Sequence, residues 1–184
     1  EYYMDILGNE SQAVLDLAYL NSLYHTGVSN HLDAAILKYQ EMPGKAGHFQ
    51  ELEKMHPELD ELPFNHERKF ASVLVKGKEK NLLIIKGSVD EVCRRCGFVE
   101  YKGDRNVMEE DGLASVHAVV DEMTEDGMKV LAVAYKELGQ DYLDTKDEQN
   151  FVLLGYLAFF DAPKQTAAAA ISKLQRLHVG IRVL

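Results

Sequence analysis

The chain has 184 residues, 46% of them hydrophobic, and a formal net charge of −10. That composition builds one ordinary domain, or one domain and a fragment of another, and is too apolar for a disordered chain. The acidic balance excludes a nucleic-acid partner, which would need clustered lysine and arginine; no apolar run reaches the roughly 18–20 residues that span a bilayer, and no secretory signal pattern opens the chain, so no membrane contact is expected of this segment.

In chain order, Ala13, Leu17, Leu20 and Tyr24 recur at near-helical spacing and predict a helix over 11–24, closed by Gly27. Asn30 is placed to cap a second helix carrying Leu32, Ala35, Ile36 and Tyr39 on one face. Residues 41–47 hold Pro43, Gly44 and Gly47 and predict a loop, and a short helix over 48–56 ends before Pro57. The character then changes. Residues 70–76 and 81–86 are β-rich runs around Gly77-Lys-Glu-Lys80, the signature of a hairpin. Ser88-Val-Asp-Glu91 fits a capping box, with a helix running through Cys93 and Cys96 to Gly97. A polar stretch over 101–106, a helix over 109–125, a strand over 127–135, a polar loop over 141–150 and a strand over 151–160 follow. Asp161-Ala-Pro163 breaks the chain before an alanine-rich helix over 165–177 and the start of a strand over 181–184. Strand, helix and strand in that order predict a parallel βα unit of another domain.

The residues that carry chemistry sit at the ends of the hairpin. Phe64, in Leu-Pro-Phe64-Asn-His-Glu-Arg-Lys69, offers a ring that can stack on a base; Lys69 and Lys86 answer phosphate charge, and Gly87 lets backbone approach a ligand closely. Read alone, Phe64 also suits a core aromatic at a strand start, and the lysines suit solvated strand ends. On so acidic a chain a nucleotide site is a local basic spot, which predicts modest affinity. No Gly-x-x-x-x-Gly-Lys-Ser/Thr loop occurs. Cys93 and Cys96 have no second ligand pair and read as structural thiols, and the seven histidines show no metal-ligand spacing, so no metal site is expected in the protein.

On these residues the chain resembles the nucleotide-binding domain of P-type ATPases over essentially its whole length. Pro63-Phe64 with Lys69 five residues beyond the phenylalanine, and Lys86-Gly87 followed by Asp90 and Glu91, look like the family's adenine- and phosphate-binding segments. Gly127-Met-Lys129 is similar to its glycine-x-arginine strand, and Asp161-Ala-Pro163-Lys164 to the hinge that leads back to the phosphorylation domain. Three stretches, 20–27, 30–37 and 64–68, are most similar to bacterial magnesium-importing ATPases.

The resemblance implies an α+β fold, a mainly antiparallel sheet flanked by helices, with a nucleotide-binding domain over 1–160 and a hinge and phosphorylation-domain fragment over 161–184. It implies that Phe64 stacks on adenine, that Asp33 hydrogen-bonds the adenine amino group, that Lys69 lines the pocket, and that Lys86 reaches the nucleotide at the pocket floor with Gly87 giving clearance. Asp33 equally suits the acidic first turn of its own helix. Lys129 stands where arginine is usual, keeping the charge and losing the planar fork, and reads equally as a surface lysine. Ser88 stands where alanine is usual, and Ala162 where the hinge has its first proline. The implied ligand is ATP, with Mg2+ as its counter-ion. The implied partners are ATP or ADP and the phosphorylation and actuator domains of the same polypeptide, the segment itself being monomeric. It would lie on the cytoplasmic side of a cell-membrane pump. No catalytic residue is expected here, since the phosphorylated aspartate lies in an Asp-Lys-Thr-Gly-Thr motif that this sequence lacks. The alternatives are the same domain from a pump for another cation, and a scaffold domain without nucleotide binding.

Overall fold

The computed structural model describes residues 2–27, 30–160, 165–177 and 179–180. Eight strands, β1 (Tyr2–Asp5), β2 (Glu58–Leu62), β3 (Phe70–Val75), β4 (Asn81–Gly87), β5 (Cys96–Tyr101), β6 (Asp104–Val107), β7 (Met128–Leu138) and β8 (Phe151–Phe160), form one sheet in the order β2-β3-β4-β7-β8-β5-β6. Every pairing is antiparallel except β5 with β8. β8 carries three partners, because β1 pairs its last half, from Gly155 to Ala158, on the edge whose first half pairs β5. The expected α+β architecture, mainly antiparallel and flanked by helices, is therefore present.

Strand alternation divides the interior into two cores. Val73, Val75 and Ile84 point to the face covered by α1 (Gln12–Tyr24), α2 (His31–Leu37) and α3 (Ala46–Met55). Phe70, Leu74, Leu83 and Ile85 point to the other face, where they meet Val89 and Val92 of α4 (Val89–Cys93) and Val116 of α5 (Glu110–Glu125). The buried residues of α1 are Val14, Leu15, Ala18, Tyr19, Leu20, Asn21 and Ser22; of the expected stripe Leu20 is buried, Leu17 and Tyr24 pack half-buried against the core, and Ala13 is exposed. Asn30 caps α2 as its position suggests, accepting from the amides of Leu32 (2.8 Å) and Asp33 (3.0 Å).

Two local expectations fail for identifiable reasons. The capping box at Ser88 does not form: its amide donates to the Lys69 carbonyl at 2.9 Å, and the Glu91 carboxylate is held by Arg94 at 2.5 Å. The helix that begins there also stops at Cys93, because the Phe151 amide captures the Arg95 carbonyl (2.9 Å) and draws Cys96 into β5. Both thiols are unpaired. Burial pushes the Cys93 thiol up to about 12 and raises that of Cys96 further, which leaves both unreactive at neutral pH. The strand expected at 181–184 and the hinge over 161–164 lie outside the described residues; helix α6 (Gln165–Arg176) is present.

Candidate functional site

A cleft of about 1230 Å³ opens at the end of the sheet where β3 begins, β4 ends and β7 begins. One wall is α2 with the turn before it, and the other is α5. Because these helices belong to different cores, the cleft straddles the two faces of the sheet. Asp33, Phe64, Lys69, Lys86, Gly87 and Lys129 all line it. Residues separated by nearly a hundred positions thus meet through strand order, the packing of α2 on the sheet and the loop before β3.

At the floor, Lys86 and Asp33 form an ion pair at 2.5 Å, with 6% and 5% of their surfaces exposed. Ser22 on α1 joins them: its hydroxyl lies 3.0 Å from the Asp33 carboxylate, and the Lys86 ammonium donates to that hydroxyl. Burial depresses the Lys86 pKa and the Asp33 carboxylate opposes the shift. Asp33 therefore supports more than the start of its helix, and Ser22, behind the lining, is a partner of the floor pair that only a structure reveals. Beside this cluster Asn21 donates to the carbonyls of Ala71 (3.2 Å) and Ile84 (3.1 Å), tying α1 to the hairpin that carries Lys86.

Phe64 sits on the loop between β2 and β3, not within a strand, and is 45% exposed. Its ring meets His66 edge-on, with centroids 5.5 Å apart. Lys69 ends the loop in the left-handed conformation (φ 58°) and presents an exposed side chain. The loop approaches β4 so closely that a Cβ on Gly87 would lie 2.3 Å from the Lys69 carbonyl oxygen and 2.4 Å from the Phe70 Cβ. The clearance that Gly87 supplies is to its own neighbouring strand. Gly87→Ala should cost about 1–3 kcal/mol of stability by forcing that contact apart, measurable as a lowered urea midpoint at unchanged m-value.

Lys129 is exposed at the start of β7, opposite Phe159, after Gly127 (φ 78°) has closed α5. The remaining charges on the lining are Asp90 and Asp121, and His25, His31, His66 and His117 stand among them. With Lys86 paired to Asp33, the lining lysines without an ion-pair partner among the described residues are Lys69 and Lys129, set against Asp90 and Asp121. The field is therefore weak. Helix α4, five residues long, adds little to it. Among the described residues no group of three or more His, Cys, Asp or Glu could hold a metal ion, and no helix is long and apolar enough to cross a membrane.

The arrangement offers an exposed aromatic ring, a buried carboxylate fixed by a lysine, and two exposed lysines on the lining. It suits a planar base with an attached anion, held without a phosphate-cradling loop.

The family profile of the P-type ATPase cytoplasmic domain N matches residues 5–166. Over all of its length the chain is 34% identical to "Magnesium-transporting ATPase, P-type 1" of Escherichia coli K12 and 35% identical to the protein of that name in Salmonella typhimurium 14028s. It is 32% identical over 67% of its length to "Calcium-transporting ATPase lmo0841" of Listeria monocytogenes. The chain spans 20% of the length of each magnesium-transporting relative. The profile match over most of the sequence, together with full-length identity above a third, makes this chain a member of the P-type ATPase family, corresponding to its cytoplasmic domain N.

Proposed function

We propose that the chain binds ATP in this cleft and presents the γ-phosphate to an aspartate carried by another domain of the same pump, with magnesium as the transported ion. The observation that carries the reading is the convergence of Phe64, Lys69, Lys86, Asp33, Gly87 and Lys129 on one cleft of an otherwise acidic molecule. Phe64 stacks on the adenine and Asp33 accepts from its amino group. Lys86 holds the Asp33 carboxylate in place and closes the floor, while Lys69 and Lys129 face the phosphates. The Mg2+ that accompanies ATP screens phosphate charge from Asp90 and Asp121. This domain positions its ligand, and the transfer itself is completed on a group outside the chain. The chain alone binds nucleotide without turning it over, on the cytoplasmic side of the membrane that holds the pump.

Magnesium as cargo rests on the magnesium-transporting relatives, and transport by the whole protein is its test. Nucleotide binding is tested by titrating ATP while following amide resonances. Shifts centred on Phe64 and Lys86 are expected, and none at millimolar ATP would overturn the reading. Lys129→Ala should weaken ATP by a few-fold and leave adenosine binding unchanged, since a rim lysine acts on phosphate and not on the base; an equal loss for adenosine in calorimetry would remove it from that role.

A further inference from the structure

We infer that Arg68 and Glu148 form a strut that fixes the loop over 63–69 and so sets how Phe64 is presented, an inference that rests on the nucleotide reading of the cleft. Neither residue is among those lining the cleft. Both lie on the face of the sheet opposite Asp33 and Lys86, where Ser72 and Phe70 point. The Glu148 carboxylate is 2% exposed and is bound by the Arg68 guanidinium and by the Ser72 hydroxyl at 2.6 Å. The other terminal nitrogen of Arg68, Nη2, turns back on the loop, donating to the Pro63 carbonyl at 2.5 Å and to the Leu62 carbonyl at 3.4 Å. The guanidinium also lies over the Phe70 ring, 5.2 Å from its centroid, with Arg95 4.8 Å from the same centroid.

The geometry of the loop explains why a strut is needed. Its far end is pinned by the Ser88 amide on the Lys69 carbonyl, and its middle by Asn65, whose side chain accepts from the Glu67 amide at 2.7 Å and whose carbonyl accepts from the Lys69 amide at 2.6 Å. At the near end Arg68 grips the carbonyl next to Phe64. An exposed ring on a loop loses stacking energy to any disorder it must give up on binding, so a fixed near end raises affinity without touching the ligand. Glu148, supplied by the segment before β8, orients the guanidinium and carries no contact to the cleft. A lysine at 68 keeps the pairing with Glu148 and loses the second arm that reaches Pro63.

The test is a double-mutant cycle for ATP binding in the 184-residue chain, by calorimetry, using Arg68→Lys and Phe64→Ala, with hydrogen exchange at the Glu67 and Lys69 amides as a nucleotide-free readout. Arg68→Lys should weaken ATP about fivefold in the native background, leave it unchanged within error once Phe64 is alanine, and speed exchange at both amides. Glu148→Gln, which removes the charge and keeps an acceptor for Ser72, should change ATP binding in the same direction. Equal losses in both backgrounds, or no loss with exchange unaltered, overturn the inference. If the unaltered chain binds no ATP, or Phe64→Ala leaves binding intact, the nucleotide reading falls; the strut then stands or falls on exchange alone, faster in Arg68→Lys or unchanged.

Discussion

Asp33→Asn should destabilise the domain by about 3–5 kcal/mol, the largest stability effect expected of a single change in the cleft, because it leaves the Lys86 ammonium buried without its counter-charge. The Ser22 hydroxyl remains as a partner and is a poor substitute for a carboxylate. Urea unfolding at neutral pH measures the loss, and a change below about 1 kcal/mol would show that the pair is solvated. The pH dependence has a definite sign. Burial already holds the folded-state pKa of Lys86 below its usual 10.5, and losing Asp33 lowers it again. Between the folded pKa and the unfolded value the unfolded chain binds more protons, so stability of the variant rises with pH across that window and recovers part of the deficit. Replacing the pair together, as Asp33→Leu with Lys86→Met, removes both charges and should restore most of the stability. Nucleotide affinity would not return with it, which separates the structural job of the pair from its proposed job in the cleft.

Phe64→Ala should weaken ATP and ADP binding to similar extents, by about 10- to 100-fold, since base stacking contributes about 1–3 kcal/mol and does not sense the γ-phosphate. The ring is nearly half exposed, packs edge-on against His66 and lies outside both cores, so the melting temperature should hardly move. Calorimetric titration with each nucleotide checks both halves of the statement. Loss of ATP binding with ADP binding intact would place Phe64 near the phosphates. Loss of both together with a large drop in stability would make it a structural residue.

Much of the fold was legible because the central strands announce themselves. Phe70–Val75, Asn81–Gly87 and Phe151–Phe160 are continuous apolar runs buried on both faces, and their bounds fall within a residue of expectation. The strands that escaped the sequence are β5, whose first residues read as the end of a helix, and three at the periphery. β1 is four residues long, β2 carries Glu58, Asp60 and Glu61, and β6 is exposed throughout. Their extended form comes from a neighbour's hydrogen bonds, with little help from side-chain pattern. The same contrast divides the site. Phe64, Lys69, Lys86 and Lys129 lie in short segments with recognisable neighbours. Ser22 sits in the last turn of α1 and Glu148 in a polar loop, and their roles depend on contacts 64 and 76 positions away. Helix-on-sheet packing creates the first of those contacts and the loop's path over the sheet the second.

The two walls of the cleft are unequally anchored, and this governs its dynamics. α2 is fastened by the buried Lys86–Asp33–Ser22 cluster and by Leu32 and Ile36, whereas α5, sixteen residues long, buries Val116 alone completely. Thermal opening therefore takes the α5 side first, while the α2 side keeps its shape. A ligand whose base rests near Asp33 and whose tail lies toward Lys129 would keep its head seated as the tail came free. Departure would then be a peeling motion that starts at the charged end, and its rate would follow the looseness of one helix more than the strength of the stack.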